Sequence, residues 1–564
     1  MKRSDFLSLN TRKSAPQHVE NVAATTAVTT TLTPYAGAWG RSEALHLLRR
    51  VHFGAPTATL AYLQGLTLQQ ALDAVLQPQA IPTDLPVNGY NDYLDAGTPP
   101  DPFVPLGQPW LTAPYHVDYE WARNMSHLAW WIRQIVEDTG VSVHHKMILF
   151  WFNHIPVQAG QVFLAKAYHQ YMMTLRTHAF GDFKSLLKAI TLEPAMLNFL
   201  NGQYNSAYAP DENFARELME LFAIGKGANG AGAGYLESDV LAAAQVLTGW
   251  RYTGQNNMTI HFDLSEHKIG NKQFSAFFNN TIITGGTTAA TGDSELNQLL
   301  DMLLAHPECA KFICRKLYRF FVYDNIPAQT ETDIIIPLAN ICRNSGYDIA
   351  LTLRTLLSSE HFFDTAFRAA MIKSPADYTL GNVRELHCAL PLVTDYGYSY
   401  RVGLHLWWYM NIAQMGLTDP PNVAGWPAWY QLNVFDRAWI TTDSMPNRAI
   451  LMDSNIFQWL NINNNGFIFG CDVIAFTQSL NAPEDAVTLV NDLVALAYSI
   501  DVPQTTKNKA IAQLITPQTD TIYWEQAWNW YLANPTDPNA IGNIKWRLGK
   551  CYQAIFQEPE YHLM

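Results

Sequence analysis

The sequence predicts a mainly α protein, built as a large multi-helix domain with one small inserted β-hairpin. Apolar residues recur with the helical period through most of the 564 residues, whereas a single stretch alternates with the period of a strand. Hydrophobic residues make up 48% of the chain and charged residues 15%. This balance is typical of a globular protein with a large core.

Three segments divide the chain. Residues 1–38 are rich in Thr and Ala and lack apolar periodicity, which predicts a flexible leader. Residues 39–450 are predicted to form the main helical domain. Residues 451–564 are predicted to form a C-terminal helical lobe packed on that domain.

The helices of the main domain are predicted to follow one another closely after a Pro-rich connector. They span 118–138, 141–154, 161–179, 182–200, 211–225, 236–249, 293–304, 307–323, 328–345, 347–358 and 366–389. Residues 258–284 alternate around a Gly-Asn turn, which predicts the β-hairpin. The C-terminal helices are predicted at 485–499, 504–515 and 539–557.

Charge and motifs exclude several classes of function. The net charge is −13, and an acidic chain without a basic cluster is poorly suited to nucleic acid. The sequence contains no GxGxxG between a predicted strand and a helix, no GxxxxGK[ST], and no GxSxG in a strand–helix context, so neither nucleotide nor nicotinamide chemistry is expected.

The sequence also bears on location. No run of about eighteen apolar residues occurs, so we expect no membrane span. The N-terminus "MKRSDFLSLNTRKSAPQ" lacks the apolar region of a signal peptide, which predicts a cytoplasmic protein. Export by another route is the alternative.

The stretch "APDENFARELMELFAIGKG" (209–227) combines an apolar helical face with a polar stripe of Asn213, Arg216, Glu217 and Glu220. The stripe is either a solvated or structural network, with ion pairs at helical spacing, or the edge of a site. In a site, two carboxylates would act as acid and base or bind a divalent metal.

Three further sets of residues are candidates. His154 ends the aromatic run "HHKMILFWFNH", where a histidine is more often structural than a ligand. His267 and Lys272 lie at the predicted hairpin turn. Trp426 and Trp429 lie in the loop 415–431, where they either stack on a ligand or fix the loop to the core.

Motifs in a consistent order along residues 40–564 carry a family resemblance. They are "HLLRRVHFG" (46–54), "HHKMILFWFNH" (144–154), "LRTHAFGDFKSLLKAITLEPAMLNFL" (175–200), "PDENFARELMELFAIGKG" (210–227), "YLESDVLAAAQVLTGW" (235–250), "HKIGNK" (267–272), "KFICRKLYRFFVYD" (311–324), "SSEHFF…IKSPADY" (358–378), "PPNVAGWP" (420–427) and "EPEYHL" (558–563). With these motifs the chain resembles the bacterial family catalogued as domain of unknown function 1800.

The resemblance implies a mostly helical fold but no particular reaction. Members of the family are commonly exported and are encoded beside alkaline-phosphatase-like proteins. This implies envelope or extracellular work and an alkaline-phosphatase-like partner. Phe152, Asn201 and Lys268 stand where the family pattern has a histidine, an aspartate and an acidic residue.

Two functional hypotheses follow. The first is a hydrolase or lyase acting on an extracellular or envelope polymer, polysaccharide-like, or on a small-molecule substrate. The catalytic residues would be Glu217, Glu220, Arg216, His154 and His267, and the substrate-binding residues Asn213, Lys272, Trp426 and Trp429. The second is a non-catalytic binding or assembly protein whose polar motifs form a buried structural network.

Overall fold

We describe the architecture from a computed structural model, which covers residues 28–93, 99–226, 234–432, 434–462 and 467–564. Helices make up most of these residues, and the strands form small two-stranded sheets. The predicted mainly α fold is confirmed. Of the expected leader, residues 1–27 lie outside the described residues, whereas Tyr35 donates its backbone N–H to the Ser358 carbonyl at 2.8 Å.

Among the described residues, eleven helices lead to the polar stripe and past it. They are α1 (Arg41–Val51), α2 (Thr57–Gln64), α3 (Leu68–Val75), α4 (Glu120–Glu137), α5 (His144–His154), α6 (Ala159–Val162), α7 (Ala165–Thr177), α8 (Phe183–Thr191), α9 (Pro194–Phe199), α10 (Glu212–Glu217) and α11 (Glu237–Val246). Side-chain caps begin several of them: Asp182 accepts from the Ser185 N–H at 2.8 Å and so satisfies one free donor of α8.

The remaining helices complete the main domain and form the C-terminal part. They are α12 (Thr291–Ala305), α13 (Pro307–Phe321), α14 (Ala328–Thr330), α15 (Ile336–Asn344), α16 (Ile349–Leu357), α17 (Pro375–Glu385), α18 (Tyr396–Ile412), α19 (Ser444–Ile456), α20 (Val473–Gln478), α21 (Ala486–Ala497), α22 (Gln504–Ile515), α23 (Ile522–Ala533) and α24 (Pro538–Phe556).

The strands pair differently from the single hairpin expected at 258–284. Strand β1 (Trp250–Thr253) pairs antiparallel with β2 (Thr259–Phe262), and β3 (Lys272–Gln273) pairs with β4 (Ile282–Ile283). Gly249, with φ +89°, directly precedes β1. A Cβ there would approach the Asp263 carbonyl oxygen to 2.7 Å, so glycine is required. A third pair joins β5 (Leu460–Ile462) and β6 (Phe467–Phe469).

Helix α10 does not continue as a regular α-helix. It passes into a π-helical turn at Leu218–Ala223, which we call the π turn. Just beyond it, the N–H groups of Ile224 and Gly225 both donate to the Met219 carbonyl, at 2.8 and 3.3 Å. Turns of this kind are rare and occur often at functional sites.

One continuous apolar cluster runs from α1 to the C-terminal residues. Helix α24 packs on α19, and the end of the chain is fixed to the main domain. The Tyr561 hydroxyl donates to the Glu385 carboxylate at 2.9 Å, and the Met564 N–H donates to the Met371 carbonyl at 2.9 Å. The C-terminal residues therefore share a core with the main domain.

Candidate functional site

The polar stripe lies on α10 and the π turn. Asp211 caps α10 by accepting the Asn213 N–H at 2.9 Å. Phe214, Leu218 and Phe222 are buried and hold the helix on the core. The stripe itself is half-buried at Arg216, Glu217 and Glu220 and exposed at Asn213, so it faces the surface and not the core.

Arg216 is held by two glutamates. It binds Glu212 at 3.1 Å, four residues earlier in α10, and Glu237 of α11 at 2.6 Å. The hydrogen bond to Glu237 raises the pKa of the Arg216 guanidinium above its usual value. Because its donors are engaged by protein carboxylates, Arg216 ties α10 to α11.

Glu217 and Glu220 differ in their partners. Glu220 forms an ion pair with Lys226 at 2.5 Å and accepts from the Tyr235 hydroxyl at 3.4 Å. Glu217 forms no hydrogen bond or ion pair within the described part of the chain. Burial raises the pKa of Glu217 above 4.5, and the negative charge of Glu220 raises it further.

His154 lies beneath the π turn. Its Nε2 donates to the Phe222 carbonyl at 2.9 Å, while Nδ1 has no partner among the described residues. Burial lowers the pKa of His154 to about 3, so the ring is neutral. The aromatic rings of Phe150, Phe183 and Phe312 surround it. His154 therefore supports the main chain of the π turn.

His267 and Lys272 belong to a separate, closed cluster. Glu295 of α12 accepts from Lys272 Nζ at 2.5 Å and lies 3.2 Å from His267 Nε2. On its other side, His267 Nδ1 lies 2.9 Å from the Thr248 carbonyl. The three side chains are at most 1% exposed, and burial lowers the pKa of Lys272 below 10.5. The cluster fixes β3 to α12.

Trp426 and Trp429 are both buried. Trp426 packs on Phe152 at a centroid distance of 5.6 Å, and Trp429 packs on Phe320 at 5.2 Å. The Trp426 N–H also donates to the Asn153 side-chain oxygen at 2.8 Å. Of the two sequence-based interpretations, these contacts match the one in which the indoles fix the loop to the core.

The predicted site residues therefore do not meet in one cleft. The π turn brings Glu217 and Glu220 together, with His154 behind them, whereas His267 and Lys272 form their own cluster. Four surface cavities of the described residues hold about 170, 410, 410 and 560 Å³. None of these four is lined by a predicted site residue.

Sequence reasoning missed the partners of the site. Lys226 and Tyr235 complete the surroundings of Glu220, and Glu295 completes the buried cluster. Tyr235 and Glu295 come from other elements than the residues they contact, so helical spacing gave no signal for them. Lys226 lies in the same quoted stretch, 209–227, so proximity in sequence could have indicated this one partner.

One of the 410 Å³ cavities holds a second pair of titratable groups that the sequence analysis did not select. Glu193 accepts a hydrogen bond from the Thr174 hydroxyl, and burial raises the pKa of its carboxyl. His178 lines the same cavity, and burial lowers its pKa. Both residues lie in the family motif at residues 175–200, so the sequence could have indicated them as candidates.

Within the described residues, no group of three or more His, Cys, Asp and Glu side chains is arranged to hold a metal ion. No helix of those residues is both long enough and apolar enough to cross a membrane.

Comparison with known proteins identifies the family. Residues 46–563 match the family model described as "Protein of unknown function (DUF1800)". The chain belongs to the DUF1800 family. Comparisons with curated proteins and with solved structures find no match.

In this DUF1800 chain, motifs far apart in sequence meet in the core. The Glu385 carboxylate accepts from the Ala55 N–H at 2.8 Å and from the Tyr561 hydroxyl at 2.9 Å. Lys146 forms a buried ion pair with Asp377. Several of the family motifs therefore build the fold, whereas the polar stripe lies half-buried at the surface.

Proposed function

We propose that the protein is a hydrolase that cleaves a glycosidic bond in an envelope or extracellular polysaccharide. Glu217 is the general acid, and Glu220 is the carboxylate that acts as base or nucleophile. The observation that supports this proposal is Glu217, a half-buried carboxyl without a partner among the described residues, next to a second carboxylate.

The two carboxyl groups have the unequal surroundings that acid–base catalysis needs. A general acid must hold its proton near the working pH, and the raised pKa of Glu217 favours this. Glu220 forms an ion pair with the Lys226 ammonium, a partner that Glu217 lacks among the described residues. Hydrolysis of a glycosidic bond uses this combination: one carboxyl protonates the leaving oxygen, and the other activates water or attacks the sugar.

The other predicted site residues have supporting roles in this proposal. His154 positions the π turn through the Phe222 carbonyl, and Arg216 holds α10 against α11. His267 and Lys272 fix β3 to α12 through Glu295. Asn213 is exposed at the start of α10 and can contact substrate.

Hydrolysis fits the site better than elimination by a lyase. A lyase must neutralise the carboxylate of a uronic acid while a base removes the adjacent proton. The nearby cations are already engaged, Arg216 by two glutamates and Lys226 by Glu220. Action outside the cell and an alkaline-phosphatase-like partner stay predictions from the family resemblance.

A non-catalytic binding or assembly role is the second candidate. It is favoured by the closed His267–Lys272–Glu295 cluster and by the ion pairs of Arg216, both of which complete contacts within the protein. In that case Glu217 would be a structural group, and its removal would change stability and not turnover.

Release of reducing ends from a panel of neutral and acidic polysaccharides tests the proposal. We expect wild-type protein to hydrolyse at least one polymer. Glu217→Gln and Glu220→Gln should each lower kcat about 100-fold or more, the scale of general acid–base catalysis. Glu212→Gln is the matched control on the same helix and should retain most activity. No hydrolysis, or full activity in both variants, would refute the proposal.

A further inference from the structure

A groove next to β1 is lined by polar and aromatic side chains. None of them belongs to the polar stripe or to the His267–Lys272–Glu295 cluster. The groove holds about 410 Å³, within the usual range of small-molecule sites of about 300–1,000 Å³. Its lining includes Gln203, Tyr204, Arg251, Tyr252, Asp263 and Glu266.

Buried Asn205 makes this groove a fixed structure. Its side-chain oxygen accepts from the Asp211 N–H at 2.9 Å, and its amide donates to the Ala244 carbonyl at 2.9 Å. Its own carbonyl accepts from Arg251 at 2.9 Å. The loop that carries Tyr204 is thereby joined to the start of α10, to α11 and to β1.

The charges of the groove disfavour an anionic ligand. Arg251 donates to the carbonyls of Asn205 and Trp250 and lies 3.6 Å from the Glu266 carboxylate. Burial lowers the pKa of its guanidinium. Asp263 adds a second carboxylate to the lining. Two negative charges thus face one largely engaged positive charge.

The aromatic residues suit the faces of sugar rings. Tyr204 is 72% exposed, so its ring offers a large apolar surface at the groove. The Tyr252 hydroxyl is held by the Asn198 side-chain amide at 3.0 Å. An aromatic ring beside carboxylate and amide groups can bind both the apolar face and the hydroxyl groups of a sugar.

We propose that this groove binds a neutral oligosaccharide segment, with Tyr204 as the stacking surface and Glu266, Asp263 and Gln203 as partners of the hydroxyl groups. This inference rests on the proposed glycoside hydrolase function, for which it defines the substrate class. Asn205 joins the groove to the capping residue of α10, and Glu217 lies five residues beyond Glu212, about 8 Å along the axis. The groove therefore lies beside the N-terminus of the helix that carries Glu217.

Isothermal titration calorimetry with full-length protein tests this proposal. The probes are cellotetraose, maltotetraose and chitotetraose, with tetragalacturonate as the anionic comparison. We expect at least one neutral probe to bind with a Kd of about 1 mM or tighter, the weak end of specific binding. Tyr204→Ala should weaken this binding at least tenfold, while Tyr208→Ala should not change it. Tyr208 is 89% exposed and does not line the groove, so it is the matched control.

Several outcomes would overturn the groove assignment. They are failure of all three neutral probes to bind, equal binding by Tyr204→Ala, and tighter binding of tetragalacturonate. Glu217→Gln separates this proposal from the hydrolase proposal, because it should bind the probe as wild type does. Binding that depends on Tyr204, without any hydrolysis, would sustain the groove and refute the hydrolase. Hydrolysis that needs Glu217 but not Tyr204 would sustain the hydrolase proposal and refute the groove assignment.

Discussion

Glu217 and Glu220 lie three residues apart on one polar face but have different surroundings. Lys226 and Tyr235 contact Glu220, whereas Glu217 has no polar partner among the described residues. The sequence predicted that these side chains share a face, because spacing of three residues fixes that. It could not predict their different partners, since Tyr235 belongs to a segment that folds back from beyond the helix.

The unpaired carboxyl leads to a prediction about Glu217→Gln. The folded-state pKa of Glu217 is raised, so its ionised form is destabilising above that pKa and the penalty disappears below the unfolded-state value near 4.5. We therefore expect Glu217→Gln to be as stable as wild type, or more stable, at pH 7. The difference should vanish at pH 4.

Urea denaturation at the two pH values measures this. Glu212→Gln is the control, because it breaks one ion pair of Arg216 and should cost about 0.3–0.5 kcal/mol. A marked loss of stability for Glu217→Gln at pH 7 would assign Glu217 to a structural network instead.

At the scale of elements, helical periodicity located most helices but not all. The aromatic helix α18, "YGYSYRVGLHLWWYMNI", escaped because apolar and aromatic residues occupy nearly every side of it, which hides the period. The span 258–284 contains the β3–β4 pair, but its first strand, β2, pairs with β1, which lies before that span. The choice of partner strand leaves no periodic signal within the segment itself.

The buried cluster that joins β3 to α12 gives the prediction at this scale. Glu295→Gln leaves the Lys272 ammonium buried without its counter-charge, so we expect a loss of about 3–5 kcal/mol. The loss should shrink at high pH, as Lys272 releases its proton. The double variant Lys272→Met with Glu295→Met should be less destabilised than Glu295→Gln, because it removes both charges.

Chemical denaturation provides the measurement, with Asp293→Asn as control. Asp293 lies on the same helix and pairs with Lys188 at the surface, so its loss should cost less than about 1 kcal/mol. Equal stability of Glu295→Gln and Asp293→Asn would contradict a structural role for the cluster.

At the scale of the whole molecule, the protein buries many histidines in their neutral form. Burial lowers the pKa of several to about 3 or 4. They are His52, His144, His154, His169, His405 and His562. The unfolded chain takes up protons on these residues below pH 6.5, while the folded protein does not.

Stability should therefore fall as the pH drops from about 6.5 towards 4. Each such histidine contributes a slope of up to about 1.4 kcal/mol per pH unit in this window. The free energy of unfolding, measured from pH 7.5 to 4.5, should decline steeply below 6.5. A flat profile down to pH 4.5 would show that these rings are accessible to protons in the folded state.

The most direct test of the central claim, that Glu217 is a general acid, compares two substrates of one sugar in Glu217→Gln. In the natural polymer the leaving group is a sugar hydroxyl, which needs a proton to depart. In a 4-nitrophenyl glycoside the leaving group is 4-nitrophenolate, which departs without one. We expect Glu217→Gln to lose about 100-fold or more of kcat/KM on the polymer but far less on the aryl glycoside. Glu220→Gln should lose activity on both. An equal loss on both substrates in Glu217→Gln would contradict the assignment.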